Sequence, residues 1–240
     1  MGLFRRKKRS RETGFCSAVI VAAGSSTRMG ADKITQDLGG LPVIVRTLQA
    51  FEQAPEVDEI ILVTREDLVA ELAGLCRDFQ LSKVTKVIRG GQTRTHSSRL
   101  GTLEARREAE LIAIHDGARP FVSQEVISAA IRKAAQTGAA VPAVPVKDTI
   151  KQARGGLVEQ TPDRSSLYAV QTPQVFEASL IRAALQKALE DGAELTDDCG
   201  AVERLGMRVS LTQGDERNIK LTTPADLLWA RALLEEEGVL

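Results

Sequence analysis

Two hydrophobic patterns alternate along the 240 residues of this chain. Short runs that are apolar at almost every position, such as SAVIVAA, EIILVT and LIAIHD, are typical of strands buried on both faces of a parallel sheet. Between them, apolar residues recur every three or four positions, as in PVIVRTLQAFEQ, which predicts amphipathic helices. The alternation predicts an α/β fold with a mostly parallel sheet flanked by helices.

These patterns assign most of the chain to predicted elements. Strands are predicted at 17–23, 59–64, 83–90, 139–146 and 208–214, with a further strand that begins at Leu111 and runs into the loop HDGARP. Helices are predicted at 42–53, 66–79, 123–136, 178–190 and 197–205, and a last one opens at Thr223-Pro224. The prolines within 139–146 indicate an edge strand or a bulge. Sheets of this kind bind ligands at the carboxyl ends of their strands.

One segment interrupts the series of strands and helices. TIKQARGGLVEQ, from Thr149 to Gln160, has two short alternating stretches around Gly155-Gly156, which predicts a β-hairpin. A hairpin inserted here forms an arm, either over the site or against a second copy of the chain. We assign a protruding β-arm to about 147–168, within a single domain that spans 15–240.

Charge and composition narrow the classes of partner. The 32 acidic and 32 basic residues balance, so nucleic acid is not expected as a partner. Basic residues nonetheless cluster in RRKKRSR, within residues 1–14; we interpret this stretch as a disordered leader, with nucleic-acid or membrane contact as the alternative. No apolar segment long enough for a signal peptide or a membrane span follows it, so we expect a cytoplasmic protein with no membrane partner.

Cysteine and histidine are scarce. The three cysteines, Cys16, Cys76 and Cys199, are scattered, and their spacing predicts reduced thiols rather than a zinc site or a disulfide framework. With only His96 and His115 in the chain, a histidine-based metal site and a Ser-His-Asp triad are both disfavoured. The remaining candidates for chemistry are arginines, lysines and carboxylates that follow strands.

The first predicted strand runs into AAGSSTRMG, a loop of small residues that ends near a cation. Small residues let a backbone come close to a ligand, and Arg28, followed by Lys33, suits an anionic ligand. Two such cations can flank a phosphate chain and neutralise the charge that develops during nucleotidyl transfer. The alternative is a tight turn with solvated side chains.

Three later loops carry further candidates. Asp116 follows a buried strand, where a carboxylate is well placed to hold Mg²⁺, and Arg119 adds a phosphate partner; the alternative makes Asp116 a turn residue or a helix cap. Gly90 permits close backbone approach, and Ser97 is a candidate donor to a nucleotide, although a cap is its plainer role. Lys220 precedes a well-capped helix and suits a positioning cation.

The chain contains, in this order, AAGSSTRMG, LGGLPVIVRTL, RGGQTR, IHDGARP, DTIKQ, QTPQVF, TDD and GDERNIKLTTPADL. In these motifs it resembles the 2-C-methyl-D-erythritol 4-phosphate cytidylyltransferases of the non-mevalonate isoprenoid pathway. The resemblance covers nearly everything after the leader. HDGARP, QTPQ and NIK are its most specific parts, because the first loop is shared with other sugar nucleotidyltransferases.

This resemblance implies a Rossmann-like domain whose β-arm exchanges across a homodimer. It also implies CTP and a sugar-alcohol phosphate as substrates, and Mg²⁺ or another divalent cation with Asp116 as a candidate ligand. The implied nucleotide-binding residues are Ala22, Ala23, Gly24, Ser25, Gly90 and Ser97. The implied catalytic residues are Arg28, Lys33, Arg164 and Lys220, and the implied acceptor contacts are Asp116, Arg119, Thr149, Arg164 and Lys220, with Thr149 and Arg164 reaching the neighbouring subunit's site.

The first loop departs from the family's pattern in two respects. Ser26 stands where the family has glycine, and GADKITQDLGG is shortened, which leaves Lys33 to supply the family's loop lysine; an ungapped count instead places Thr35-Gln36 at that position. The function that the resemblance implies is transfer of CMP from CTP to methylerythritol phosphate, with release of pyrophosphate. The alternatives are a ribitol 5-phosphate cytidylyltransferase and a nucleotide-binding relative that has lost catalysis.

Overall fold

The computed structural model describes residues 13–24, 33–236 and 238–239. Residues 1–12 of the predicted leader, and Ser25 and Arg28 of the predicted site, lie outside this part of the chain. The strands are β1 (Cys16–Ala22), β2 (Asp37–Leu38), β3 (Leu41–Pro42), β4 (Glu59–Thr64), β5 (Val84–Arg89), β6 (Leu111–Asp116), β7 (Ala139–Pro145), β8 (Gln152–Arg154), β9 (Leu157–Gln160), β10 (Tyr168–Val170), β11 (Gln174–Glu177) and β12 (Ser210–Gln213). The helices are α1 (Val43–Gln53), α2 (Val69–Asp78), α3 (Arg94–Glu104), α4 (Gln124–Thr137), α5 (Ala178–Glu190), α6 (Cys199–Arg204) and α7 (Pro224–Glu236).

Within these residues, eight strands form one central sheet. The order runs β12, β7, β11, β6, β1, β4, β5, and β10 pairs with the second half of β7. Neighbours from β6 to β5 are parallel, as are β7 and β12, whereas β10 and β11 run antiparallel to their partners. The predicted α/β fold with a mostly parallel sheet is therefore confirmed.

The uninterrupted apolar character of the central strands follows from their position between two cores. In β1, Ala18 and Ile20 belong to one buried cluster and Val19 to the other. The first cluster includes side chains of α1, α2, α4 and α7, and the second includes side chains of α5 and α6. Successive strand residues point to opposite faces of the sheet. The residues that face the first cluster and those that face the second must therefore all be apolar.

Helix α3 lies very close to the sheet. A Cβ atom built on Gly101 would lie 2.2 Å from Cγ1 of Val19 and 2.9 Å from Cγ2 of Val63, a separation that only glycine permits. At the other end of α3, the Thr93 hydroxyl caps the helix by accepting from the backbone N–H of His96 at 3.1 Å. The beginning of α3 is therefore fixed beside the end of β5, where a ligand of the sheet would bind.

The strand at 139–146 does not occupy the predicted position. β7 pairs with β12 on one side and with β10 and β11 on the other, so the prediction of an edge strand is wrong. Its prolines are accommodated: the carbonyl of Pro142 accepts from the backbone N–H of Gln171 at 2.8 Å. The outer position belongs to β12, a strand that follows β7 by more than sixty residues.

The predicted hairpin at 149–160 is confirmed. β8 and β9 form a separate antiparallel ribbon, and Gly155 and Gly156 at its turn have φ of 57° and 81°, a combination that favours glycine. All residues of both strands are exposed, including Leu157 and Val158. A two-stranded ribbon of this kind is marginally stable by itself.

All three cysteines of the chain are free and buried, as their scattered positions predict. Burial raises the pKa of the Cys76 thiol to about 11 and raises that of Cys199 further. These thiols are therefore protonated near neutral pH.

Among the described residues, no helix is both long enough and apolar enough to cross a bilayer.

Candidate active site

The loops after β1, β5 and β6 meet at one edge of the sheet. A Cβ atom on Gly90 would lie 2.5 Å from Cβ of Ala23 and 2.8 Å from Oγ of Ser97. A Cβ atom on Gly117, after β6, would lie 2.9 Å from Cβ of Ala22. These close approaches bring together four of the predicted nucleotide-binding residues, and Gly24 follows them at an exposed position.

The side chain of Ser97 holds this loop together. Its hydroxyl accepts from the backbone N–H of Gly91 at 3.1 Å and donates to the carbonyl of Thr93 at 2.9 Å. The residue is 1% exposed. Ser97 therefore shapes the backbone of the glycine loop from within α3, whereas the cap of that helix is Thr93.

Three cations surround the Asp116 carboxylate at the end of β6. Nζ of Lys220 lies 2.8 Å from Oδ2, Nε of Arg119 lies 3.7 Å from Oδ2, and Nε of Arg94 lies 3.2 Å from Oδ1. The Asp116 side chain is 10% exposed. It lines an open pocket of about 250 Å³ together with the three cations and with residues of 170–174 and 196–197.

The charge state of Asp116 follows from two opposing effects. Burial of the carboxyl raises its pKa, but the positive charges of Arg94, Lys220 and Arg119 outweigh burial and hold the pKa well below its usual range. Burial also lowers the pKa of Arg119, and Asp116 opposes that effect. Asp116 is therefore an ionised carboxylate, and the three cations around it exceed its own negative charge.

Asn218 fixes the loop that carries Lys220. Its buried side-chain amide donates to the carbonyl of Thr172 at 2.9 Å and to Oε1 of Gln171 at 3.3 Å. The Asn218 carbonyl in turn accepts from the guanidinium of Arg119. These hydrogen bonds of Asn218 tie the NIK and QTPQ motifs to the HDGARP loop. Arg119 and Lys220 therefore approach Asp116 from loops that are held together.

The fully buried His115 connects the same loops through hydrogen bonds to Arg119 and Thr172. Its Nε2 lies 3.3 Å from the carbonyl of Arg119, and its Nδ1 lies 2.9 Å from the hydroxyl of Thr172. A carbonyl only accepts, so Nε2 carries the proton and Nδ1 accepts from the hydroxyl. The Thr172 hydroxyl then accepts from the backbone N–H of Asp116 at 3.2 Å. Burial lowers the pKa of His115 to about 3, which keeps the ring neutral.

Two charged residues of the site were not singled out from the sequence. Arg94 opens α3 and joins Asp116 to Asp198, whose Oδ2 lies 2.8 Å from a terminal nitrogen of the guanidinium. The Asp198 side chain is 1% exposed, and its burial raises its pKa while Arg94 opposes the shift. Arg94 lies in RGGQTR and Asp198 lies in TDD, two of the motifs that carry the family resemblance. Those motifs were the sequence feature that could have identified both residues.

Three other predicted residues lie elsewhere in the described part of the chain. Lys33, Thr149 and Arg164 do not line the pocket around Asp116. Thr149 and Arg164 are exposed on the segment that carries the arm. Arg164 donates to the carbonyl of Lys147 at 2.8 Å. The single chain thus brings together three of the five predicted acceptor contacts. Asp116, Arg119 and Lys220 meet at the pocket, whereas Thr149 and Arg164 do not line it.

The donor set at Asp116 fits a divalent cation only in a limited way. Within the described residues, no group of three or more His, Cys, Asp or Glu side chains is placed to hold a metal ion. Mg²⁺ is commonly bound through one or two carboxylates together with substrate phosphates and waters. Asp116 can offer one such oxygen, because it is a buried, ionised carboxylate at the pocket, and phosphate oxygens would have to supply others.

The sheet, the glycine loops and the cation-ringed carboxylate together define a class. These are α/β proteins that bind a nucleotide at the carboxyl ends of parallel strands and neutralise phosphate charge beside it.

Comparison with known proteins narrows this class to one family. The model of the 2-C-methyl-D-erythritol 4-phosphate cytidylyltransferase family matches residues 16–236. The chain therefore belongs to that family and is a cytidylyltransferase, one of the nucleotidyltransferases. It is 48% identical over 219 residues to the 2-C-methyl-D-erythritol 4-phosphate cytidylyltransferase of Geobacillus kaustophilus, covering 90% of this chain and 96% of that protein. It is 45% identical over 223 residues to that of Halalkalibacterium halodurans, covering 92% of this chain and 97% of the relative.

Solved structures agree with this assignment. The crystal structure of 4-diphosphocytidyl-2C-methyl-D-erythritol synthase from Anaerococcus prevotii superposes with a TM-score of 0.84 at 33% identity, covering 93% of this chain and 97% of that one. The 2-C-methyl-D-erythritol 4-phosphate cytidylyltransferase from Thermus thermophilus superposes with a TM-score of 0.76 at 31% identity, covering 92% and 99%. The resemblance found in the sequence motifs is confirmed.

Proposed function

We propose that this protein transfers CMP from CTP to 2-C-methyl-D-erythritol 4-phosphate and releases pyrophosphate, a step in isoprenoid precursor synthesis. Membership of the family supports the reaction. The observation that carries it at the site is the convergence of Arg94, Arg119 and Lys220 on Asp116, beside the glycine loop of Gly90. This arrangement suits two anionic reactants that must meet.

The transfer needs no protein nucleophile, because the acceptor phosphate is already an anion. An oxygen of that phosphate forms a bond to the α-phosphorus of CTP, and the bond from the α-phosphorus to the bridging oxygen breaks. Pyrophosphate leaves with the electron pair. The task of the protein is then to hold the reactants in line and to neutralise charge. Lys220 and Arg119 are placed for this beside Asp116, and we assign Arg28 and Lys33 to the triphosphate.

We also propose that Mg²⁺ or another divalent cation enters with the triphosphate, with Asp116 as its protein ligand. When bound, the ion would neutralise part of the phosphate charge. Removal of divalent ions with a chelator is expected to abolish pyrophosphate release. In Asp116→Asn, enhancement of water proton relaxation by bound Mn²⁺ in the presence of CTP should weaken, which reports binding without turnover. An unchanged Mn²⁺ affinity would remove Asp116 from the metal site.

The arm supports a further part of the proposal, a homodimer in which each arm reaches the other subunit's site. The arm exposes Leu157 and Val158, and it pairs with no other strand of the described chain. Such a ribbon needs something to pack against. Thr149 and Arg164 would then contact the acceptor phosphate in the partner's site.

We also infer a cytoplasmic location for this protein. Its three cysteines are free, which supports a reducing compartment.

A pyrophosphate-release assay that crosses four nucleoside triphosphates with two sugar phosphates tests the function. The expected result is turnover with CTP and methylerythritol phosphate only. Faster turnover with ribitol 5-phosphate would instead identify that acceptor. Binding of CTP in calorimetry, with no pyrophosphate released for any acceptor, would indicate a relative that has lost catalysis.

A further inference from the structure

The guanidinium of Arg94 spans two carboxylates that lie far apart in the sequence. Nε lies 3.2 Å from Oδ1 of Asp116, and a terminal nitrogen lies 2.8 Å from Oδ2 of Asp198. Arginine presents five donors in a rigid plane, so contacts at two of its nitrogens determine the orientation of the group. A lysine, with a single ammonium, would not span both.

Asp198 does not owe its position to a local structural role. It precedes α6, yet its side chain makes no capping hydrogen bond to that helix. Its carboxylate is 1% exposed, and its ion pair is with Arg94. Burial of a charge is costly unless the charge is paired, and a buried pair is weak support for stability. A role in arranging the site accounts better for this pair.

The backbone around Asp198 is held firmly. Oε1 of Gln174 accepts from the backbone N–H groups of Asp198 and Cys199 at 2.9 and 3.0 Å. The amide of Gln174 donates to Oδ2 of Asp197 at 2.8 Å. Because β11 carries Gln174 in the central sheet, Asp198 is a fixed point from which Arg94 can be oriented.

Arg94 also belongs to the glycine loop. It follows the α3 cap Thr93, whose carbonyl accepts from Ser97, and Gly90 lies against Ser97 in the same loop. The backbone of Arg94 thus belongs to the glycine loop, and its guanidinium is paired with Asp198.

We propose that Arg94, held by Asp198, is a positioning residue that fixes the Asp116 carboxylate for the transfer reaction. With Oδ1 engaged by Arg94, Oδ2 faces Lys220 and Arg119. Asp116 and Asp198 together engage Nε and one terminal nitrogen of Arg94, which leaves this guanidinium fewer donors for a phosphate. The inference rests on the proposed function, since it assigns Asp116 to the reacting pocket.

Asp198→Asn separates this role from a structural one. The variant keeps the shape of the side chain but removes its charge, so Arg94 is released and the pocket becomes more favourable to anions. We expect kcat to fall about 10- to 100-fold, the size of loss that a displacement of roughly 1 Å in an active site can cause. We expect KM for the acceptor phosphate to fall rather than rise. Asp198→Glu, which keeps the charge, should recover part of kcat.

Glu56→Gln is the matched control. Glu56 is also a buried carboxylate paired with an arginine, Arg132 at 2.7 Å, but it lies before β4, at the opposite end of the sheet from the pocket. Its variant should keep the wild-type kcat and KM. The inference is overturned if Asp198→Asn retains kcat, or if it lowers kcat and raises KM together with a loss of Tm.

A second measurement does not depend on turnover. Calorimetric titration with inorganic pyrophosphate should show several-fold tighter binding to Asp198→Asn than to wild type, with Glu56→Gln unchanged. Equal affinities overturn the inference even if wild type turns over no acceptor. An inactive wild-type protein would instead count against the proposed function, so the two failures are distinguishable.

Discussion

Asp116 receives its three cations from three separate parts of the chain: α3 supplies Arg94, the HDGARP loop supplies Arg119, and the NIK loop supplies Lys220. Its backbone N–H is held by Thr172, which His115 orients in turn. Apart from the Asp116–Arg119 pair, which lies within one loop, these contacts join residues that are distant in the sequence. At the scale of the residue, the site is a carboxylate whose surroundings are set by buried, neutral or paired groups.

The neutral His115 makes stability depend on pH in a defined direction. Its pKa is about 3 in the folded protein and about 6.5 in the unfolded chain. Between these values the unfolded chain binds more protons, so the stability is fully present above about pH 6.5 and is lost as pH falls. We expect the free energy of unfolding to fall with decreasing pH more steeply for wild type than for His115→Gln, by up to about 1.4 kcal/mol per pH unit.

Urea unfolding at pH 6.5, 6 and 5 measures this difference. Asp116 does not contribute in that range, because its pKa is lowered on folding and its stabilisation is lost only below about pH 4. Other carboxylates titrate in both proteins and cancel in the comparison. Parallel curves for the two proteins would show that His115 is protonated in the folded state.

Arg28 gives the second prediction at this scale. If it contacts mainly the charge that develops at the α-phosphate, Arg28→Ala should raise the barrier by about 2.7–4 kcal/mol, as does loss of one oxyanion-hole donor. The dissociation constant of CTP should change little, and Lys33→Ala should show the same pattern. Rapid-quench turnover and calorimetry measure the two quantities. A large loss of CTP affinity with kcat retained would make Arg28 a binding residue instead.

Sequence reasoning identified Asp116, Arg119 and Lys220 because each follows a strand or precedes a capped helix within a recognisable motif. It gave no role to Arg94 or Asp198, whose significance depends on a contact across 104 positions of the chain. Local patterns report which residues follow a strand. They do not report which side chains of two distant loops pair when the sheet forms.

The same limit applies to the elements. β4 and α5 begin and end at the predicted residues, because uniform apolar runs and helical spacing are strong local signals. β10 and β11 were not predicted, because these short strands have neither a long apolar run nor a glycine turn like the one that marks β8 and β9. The prolines of β7 indicated an edge strand or a bulge, but β12 covers this strand from a distant part of the chain. Strand order is a property of tertiary contacts, and local composition describes it poorly.

The arm allows a prediction at the scale of the element. β8 and β9 share no strand pairing with the central sheet, so replacing 149–160 by a short Gly-Ser linker should leave the domain folded. The variant should be monomeric, should bind CTP with wild-type affinity, and should lose turnover of the acceptor. Sedimentation, calorimetry and pyrophosphate release measure the three properties. A linker variant that stays dimeric and active would exclude the arm from both roles.

At the scale of the whole molecule, the pocket and the arm of one chain do not meet. Asp116, Arg119 and Lys220 line the pocket, whereas Thr149 and Arg164 lie outside it. A site completed by two chains would account for this separation. It also predicts that neither chain alone carries out the reaction.

Mixing two inactive variants tests this shared site. In a mixed dimer of Arg28→Ala and Arg164→Ala chains, one site would carry both defects and the other neither, so activity should partly return. Arg28→Ala mixed with Lys220→Ala is the control: each site then keeps one defect, and no activity is expected. If the first mixture stays inactive while mass spectrometry detects exchanged dimers, the shared site is excluded.

The burial of all three native cysteines makes the protein ready for site-specific labelling. Cys16, Cys76 and Cys199 are enclosed, and the raised pKa values of Cys76 and Cys199 suppress their reactive thiolate forms. A cysteine introduced at the arm, as in Leu157→Cys, would therefore be the position that a maleimide spin label modifies. The distance between two such labels, read by pulsed electron spin resonance, would report in solution how far apart the two arms of an assembly lie, with no native thiol removed first.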